Sequence, residues 1–110
     1  MKESRVNRRE YLARTKRRLK EEGCKYSDEE MRQIYDAFVG EIYDILAEGG
    51  VVSLSNVGRI FIQKRKGHPV HLRGEAGVLD DYLLLRFAPS HSANMRIRND
   101  EAFKKSYEMK

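Results

Sequence analysis

Residues Glu48 to Arg73 read E-G-G-V-V-S-L-S-N-V-G-R-I-F-I-Q-K-R-K-G-H-P-V-H-L-R. Gly49 and Gly50 mark a helix end. Val52 and Leu54 then alternate with Ser53 and Ser55, and Ile60 and Ile62 alternate with Phe61 and Gln63, the period-two pattern of half-buried strands. Between them, Asn56-Val57-Gly58 supplies residues that tolerate positive φ at a turn. After Arg59 the stretch holds Lys64, Arg65, Lys66 and Arg73 with His68 and His71, and no acid. One β-limb therefore changes along its length from core-forming to phosphate-seeking.

Upstream, the sequence predicts a helix from about Arg8 to Glu21. Asn7 is its N-cap with Glu10 three residues on, a capping box in its Asn form, and Tyr11, Leu12, Thr15 and Leu19 make a narrow apolar stripe on an otherwise basic helix. Gly23 closes it, and Ser27-Asp28-Glu29-Glu30 opens a second helix with another capping box, whose three acids suit the helix N-terminal dipole. From Asp28 to Ala47 the residues Met31, Ile34, Tyr35, Phe38, Val39, Ile42, Tyr43, Ile45 and Leu46 follow three-and-four spacing. This stripe is wider than the first helix can cover, so part of it is expected to meet another subunit.

Downstream, Tyr82-Leu83-Leu84-Leu85-Arg86-Phe87 reads as a third strand ended by Pro89. Ser90-His91-Ser92 then starts a short helix carrying Ala93, Met95 and Ile97, with Arg96 and Arg98 exposed. Beyond Asn99 the tail either adds a turn of helix from Asp100, anchored by Phe103 and Tyr107, or frays.

With 110 residues the chain is expected to be one small domain, whose limited core a partner chain would supplement. Apolar residues at 40% and charged residues at 35% suit a globular chain rather than a disordered one. No apolar run approaches membrane-spanning length, and no hydrophobic region follows the charged N-terminus, so neither a membrane partner nor secretion is expected. Cys24 is the single cysteine, which excludes an intrachain disulfide and fits a reducing cytoplasm. The net charge of +5 is unevenly spread: +7 over residues 1–20, −7 over 21–50, +5 over 51–73, −2 over 74–89 and +2 over 90–110. Two separated basic blocks in so short a chain point to a polyanion partner.

The order helix, helix, hairpin, long basic segment, strand, short helix resembles the HU and integration host factor family of bacterial DNA-bending proteins. The likeness rests on Ala47-Glu48-Gly49-Gly50-Val51-Val52-Ser53-Leu54 and Val57-Gly58-Arg59-Ile60. It continues in Phe87-Ala88-Pro89-Ser90 and Met95-Arg96-Ile97-Arg98-Asn99, spanning about Asn7 to Asn99. It implies an α+β fold and an intertwined dimer: two N-terminal helices as a base (7–48), a three-stranded antiparallel sheet with an extended β-arm (51–87), and a short C-terminal helix and tail (90–110). In that family the arms lie in the minor groove, and a proline at each tip wedges between base pairs.

The chain departs from that pattern in its arm. Gly67-His68-Pro69 is the nearest match to the family's Arg-Asn-Pro-like tip. If Ile60 and Phe87 lie opposite each other, as the resemblance suggests, a hairpin with equal limbs turns within Leu72-Arg73-Gly74-Glu75-Ala76-Gly77, and Pro69 falls on the ascending limb, where proline fits only an edge or a bulge. The wedge is then Pro69 if the limbs are unequal, Leu72 if they are equal, or absent. Asp80 and Asp81 are expected to pair across strands with Lys64, Arg65 or Lys66. After the Phe-x-Pro element, His91 and Asn94 stand where the family usually has lysines.

The expected function is architectural: binding double-stranded DNA with little sequence preference and bending or compacting it, as a homodimer or a heterodimer with a related chain. The candidate DNA-binding residues are Arg59, Lys64, Arg65, Lys66, His68, Pro69, His71, Leu72 and Arg73, with Arg8, Arg9, Arg14, Arg17 and Arg18 as a secondary phosphate surface. A cytoplasmic, nucleoid-associated location follows from the resemblance, in a bacterial cell or, for a viral source, in host cytoplasm or virion. His68-x-x-His71 lacks a third ligand nearby, and no phosphate loop or nucleophile–base arrangement occurs, so no metal, cofactor or enzymatic activity is expected. The competing reading keeps the fold but makes the chain a protein-interaction or structural subunit. The acidic descending limb and the missing lysines favour it.

Overall fold

The computed structural model describes residues 4–67, 69–72, 75–78 and 80–108, with backbone alone at 69–72, 75, 76 and 78. Helix α1 (Arg8–Glu21) packs on α2 (Asp28–Ala47), and α2 packs on β1 (Val52–Leu54). Strands β2 (Gly58–Arg65), β3 (Pro69–Leu72), β4 (Glu75–Val78) and β5 (Tyr82–Pro89) follow, then α3 (His91–Asn99) and α4 (Glu101–Ser106). Both long helices span the predicted residues. The tail is helical rather than frayed through Ser106 because the Asp100 side chain caps α4, accepting from the Ala102 N–H at 2.8 Å.

The two N-caps differ from each other. At α2 the box is reciprocal: Ser27 Oγ accepts from Glu30 N–H at 3.0 Å, and Glu30 Oε1 accepts from Ser27 N–H at 2.9 Å. At α1 only Asn7 Oδ1 is engaged, accepting from Glu10 N–H at 2.9 Å, while the Glu10 carboxylate turns to Arg14 at 3.5 Å. The predicted capping box at Asn7 is thus half formed, because an arginine one turn on competes for the carboxylate. Both helices end in the same paired bonds. In α2, Gly50 N–H donates to Ile45 and Gly49 N–H to Leu46, with Gly49 at φ +81°, a conformation costly for other residues.

The backbone N–H of Ser27, and then its hydroxyl, hold the Glu30 carboxyl below its ordinary value. A hydrogen bond from Lys16, and then its charge, do the same to Asp28, with Lys16 Nζ 2.8 Å from Asp28 Oδ1. Folded-state values depressed in this way stabilise above the unfolded pKa and lose that contribution as pH falls through the folded value. Stability is therefore expected to fall as pH drops below the ordinary carboxylate values of 3.8 and 4.5. Urea midpoints measured from pH 6 to 3 should show a shallower decline in Glu30→Gln than in the wild type.

Strands β1, β2 and β5 form an antiparallel sheet in the order β1-β2-β5, and β3 and β4 pair only with each other. Ile60 lies opposite Phe87, and Arg65 opposite Tyr82; farther out, Pro69 lies opposite Val78 and Leu72 opposite Glu75. The two ladders keep one register, so the limbs are equal. Pro69 sits on the ascending limb, and Leu72 is the last paired residue before the turn.

Within the single chain the core is thin. Met31 and Leu46 are the buried hydrophobic residues among those described, 4% and 8% exposed, whereas Phe38 is 55% and Leu83 69% exposed. The accessible surface is 10213 Å², against about 6,300 Å² for a compact protein of this mass. The radius of gyration is 19.8 Å, against about 13 Å for a compact chain of this length.

Candidate nucleic-acid interface

Antiparallel pairing places opposite residues on the same face of a sheet. One face of the three-stranded sheet carries Val52, Leu54, Ile60, Ile62, Leu83, Leu85, Phe87 and Pro89, all apolar, with Lys64 at its distal end. The other carries Ser53, Arg59, Phe61, Gln63 and Arg65 opposite Ala88, Arg86, Leu84 and Tyr82. The sheet thus separates an apolar side from a basic one. Arg59, Arg65 and Arg86 are exposed on the basic side, while Phe61, Gln63 and Leu84 are half-buried between them. The Arg59 guanidinium lies over the Phe61 ring, 5.8 Å from its centroid, an attraction that orients the charge along the face.

The sequence-predicted residues divide accordingly. Arg59 and Arg65 share the basic face. Lys64 lies on the apolar side, where its Nζ is 3.5 Å from Asp81 Oδ2, and the other Asp81 oxygen accepts from the Gly67 N–H at 2.8 Å. The cross-strand pairing expected of Asp81 is present. The carboxylate closes the gap between the sheet and the distal hairpin by binding a lysine and a free backbone donor together. Lys66 is exposed beside this junction. Pro69, His71 and Leu72 lie on β3 as backbone positions. His68 and Arg73 fall outside the described residues.

On α1, Arg8 faces the helix pair. Its guanidinium is 6.0 Å from the Tyr35 ring centroid and 3.8 Å from Asp36, so it serves packing as well as charge. Arg14 is held by Glu10. Arg9, Arg17 and Arg18 are exposed and have no ion-pair partner among the described residues. At α3, Ser90 Oγ accepts from the Ala93 N–H at 3.1 Å, which fixes the helix start directly after β5.

Arg86 was absent from the residues singled out by sequence. It sits in an apolar run in which Leu84 and Leu85 blur the alternation. The signal lies in the register: once Ile60 opposes Phe87, Phe61 must oppose Arg86.

An open groove of about 570 Å³ runs between the two long helices, lined by Val6, Tyr11, Leu12, Ile34, Phe38 and Ile42 among others. Both it and the apolar sheet face are left uncovered among the described residues. No helix among the described residues is long and apolar enough to cross a membrane.

No protein-family model matches the sequence. No curated protein matches it either. Among solved structures the chain is similar to an HU–DNA cocrystal structure from Anabaena, with a TM-score of 0.72 and 12% identity, covering 86% of this chain and all of that one. The likeness shows the fold: helices and a three-stranded antiparallel sheet arranged as in HU.

Proposed function

We propose that this chain is an architectural DNA-binding protein that binds double-stranded DNA with little sequence preference and bends or compacts it. The observation that carries the reading is the two-sided sheet, with Arg59, Arg65 and Arg86 on one face and an uncovered apolar surface on the other. The apolar side and the open helix groove are offered to a second HU-like chain, identical or related, in an intertwined dimer. Such a partner would supply the core that one chain lacks. Two protomers would then present a continuous basic surface, flanked by two β3–β4 arms that reach into the minor groove. The fold of a protein crystallised with DNA supports this reading.

Phosphate neutralisation releases counterions whatever the base sequence. Bending costs several kcal/mol that arm contacts must offset, so flexible, gapped or already bent duplexes are preferred. At the arm, Leu72 is the strongest candidate for a wedge, because the shared register leaves it next to the turn and carries Pro69 down the limb. Lys66, His68, His71 and Arg73 contribute positive charge or hydrogen bonds along the same limb, whereas Lys64 is turned to the apolar side and paired with Asp81.

If the three sheet arginines of each protomer neutralise one phosphate apiece, log K against log salt has a slope of about −5, and affinity falls about 1,000-fold between 50 and 200 mM salt. Replacing Arg86 by glutamine removes two contacts per dimer and should make the slope shallower by about 2. Gel-shift titrations at several salt concentrations read both. A slope unchanged in Arg86→Gln would remove that residue from the interface.

A second reading is favoured by Asp81, which occupies Lys64 and the Gly67 N–H, and by His91 and Asn94. On this reading the chain docks on another protein. Absence of any shift at low salt, with a stable dimer by mass in solution, would select it.

A further inference from the structure

We infer that Asp81 is the positioning residue of the arm: its carboxylate latches the distal hairpin to the three-stranded sheet, so that the arm meets DNA in one direction; this rests on the DNA-bending reading above. The β2–β5 ladder ends at Arg65 opposite Tyr82, and the β3–β4 ladder begins at Pro69 opposite Val78. Between them, Lys66 and Gly67 on one limb and Asp80 and Asp81 on the other belong to no strand. A two-stranded ribbon interrupted in this way loses the ladder bonds that hold its direction. Gly67 adds to that freedom, since a residue without a Cβ has the widest choice of backbone angles. The arm is therefore weakest where the sheet passes into the hairpin.

Asp81 bridges this point. Continuing the register past Arg65 and Tyr82 places Asp81 opposite Lys66 and on the side of the ribbon that carries Lys64. From there one carboxylate oxygen lies 3.5 Å from Lys64 Nζ, and the other accepts from the Gly67 N–H at 2.8 Å. The two partners stand on either side of the opposing position, one within the sheet and one toward the hairpin. A single bond would leave the ribbon free to pivot about it, whereas two bonds from one carboxylate fix its direction. The backbone bond carries the latch, because an exposed ion pair at this distance contributes little, and Lys64 aims the carboxylate. A carboxylate on a limb that approaches phosphates is otherwise repelled by them. The latch explains its place there: a hairpin already held in its binding direction has less freedom to lose when DNA arrives.

Two substitutions in the full-length protein, Asp81→Asn and Asp81→Ala, separate the latch from the charge. Both remove the negative charge, but the asparagine carbonyl oxygen still accepts from the Gly67 N–H and alanine cannot. Asp81 is exposed, so neither variant disturbs the core. Amide exchange at Gly67, followed by NMR without DNA, should be about fivefold faster in D81A than in D81N. Gel shift on a straight duplex should show D81A about threefold weaker than D81N, and energy transfer between dyes at the duplex ends should show a smaller mean bend. Equal affinity and bend in the two variants overturn the inference, including the case in which both bind more tightly than the wild type and Asp81 acts only as a repelling charge. Equal Gly67 exchange in the two overturns it as well. A wild-type protein that shifts and bends a duplex while the two variants stay alike overturns this inference alone; one that shifts no duplex overturns the DNA-binding reading and with it the role of the arm.

Discussion

Gly58→Ala is expected to destabilise the protein by about 3 kcal/mol, more than the same change at Gly23, Gly40, Gly49 or Gly50, because an added Cβ at Gly58 would make the closest approaches of the five. Gly58 is buried at the start of β2 with φ +158°, and a Cβ there would come within 2.4 Å of the Ala88 carbonyl oxygen and 2.7 Å of the Phe87 ring. The carbonyl belongs to the neighbouring strand and cannot turn aside without breaking the ladder. Overpacking of this kind costs about 1–3 kcal/mol, to which backbone strain at a glycine-favouring φ adds. Urea denaturation should show the midpoint lowered by more than 1 M, given a slope of about 1–3 kcal/mol per M. Gly40→Ala is the control. Gly40 lies inside α2 with nothing within 4 Å of an added Cβ, so the substitution should raise stability by about 1 kcal/mol. Equal effects at the two positions would contradict the close approach at Gly58.

Excising residues 68–79 and joining the limbs through an Asn-Gly turn should abolish DNA bending while leaving the chain folded. Strands β3 and β4 pair with each other and with no strand of the main sheet, so their removal takes no hydrogen-bonded partner from β2 or β5. The basic sheet face would remain, and with it phosphate binding of reduced strength. Energy transfer between dyes at the two ends of a short duplex measures the bend, and gel shift measures the residual affinity, expected to fall at least tenfold. Bending that survives the excision would remove the hairpin from the mechanism and leave the sheet alone to account for it.

The helices could be read directly from the sequence, whereas the register was expected only from the pairing of Ile60 with Phe87 that the resemblance implied. Asn7, Gly23, Ser27 and Gly49 bound two elements by local chemistry alone, and local chemistry does not depend on distant contacts. For equal limbs a turn was expected within Leu72-Arg73-Gly74-Glu75-Ala76-Gly77 from one assumed pair, Ile60 with Phe87, and the pairing of Leu72 with Glu75 agrees because a hairpin without a bulge propagates its register. Side-chain direction was less legible. Lys64 sits in a basic run with Arg65 and Lys66, and composition groups the three together. Alternation along β2 instead sends Lys64 to the apolar side and Arg65 to the basic side. Arg8 was hidden for a related reason. It falls in the basic first turn of α1, yet the helical period puts it on the stripe that faces Tyr35 and Asp36. In both cases charge was visible in the sequence, but its direction required the neighbouring element.

The single register shared by the sheet and the distal hairpin also constrains how such an arm can change length. Adding one residue to each limb would move the turn outward by about 3.4 Å and turn its side chains over, so that a residue aimed at one side of the ribbon would face the other. Two residues per limb would restore the facing and advance the tip by about 7 Å. An extra residue on one limb alone must be absorbed as a bulge, which twists everything beyond it. Reach and aim are therefore coupled: the ribbon can lengthen freely only in steps that keep parity.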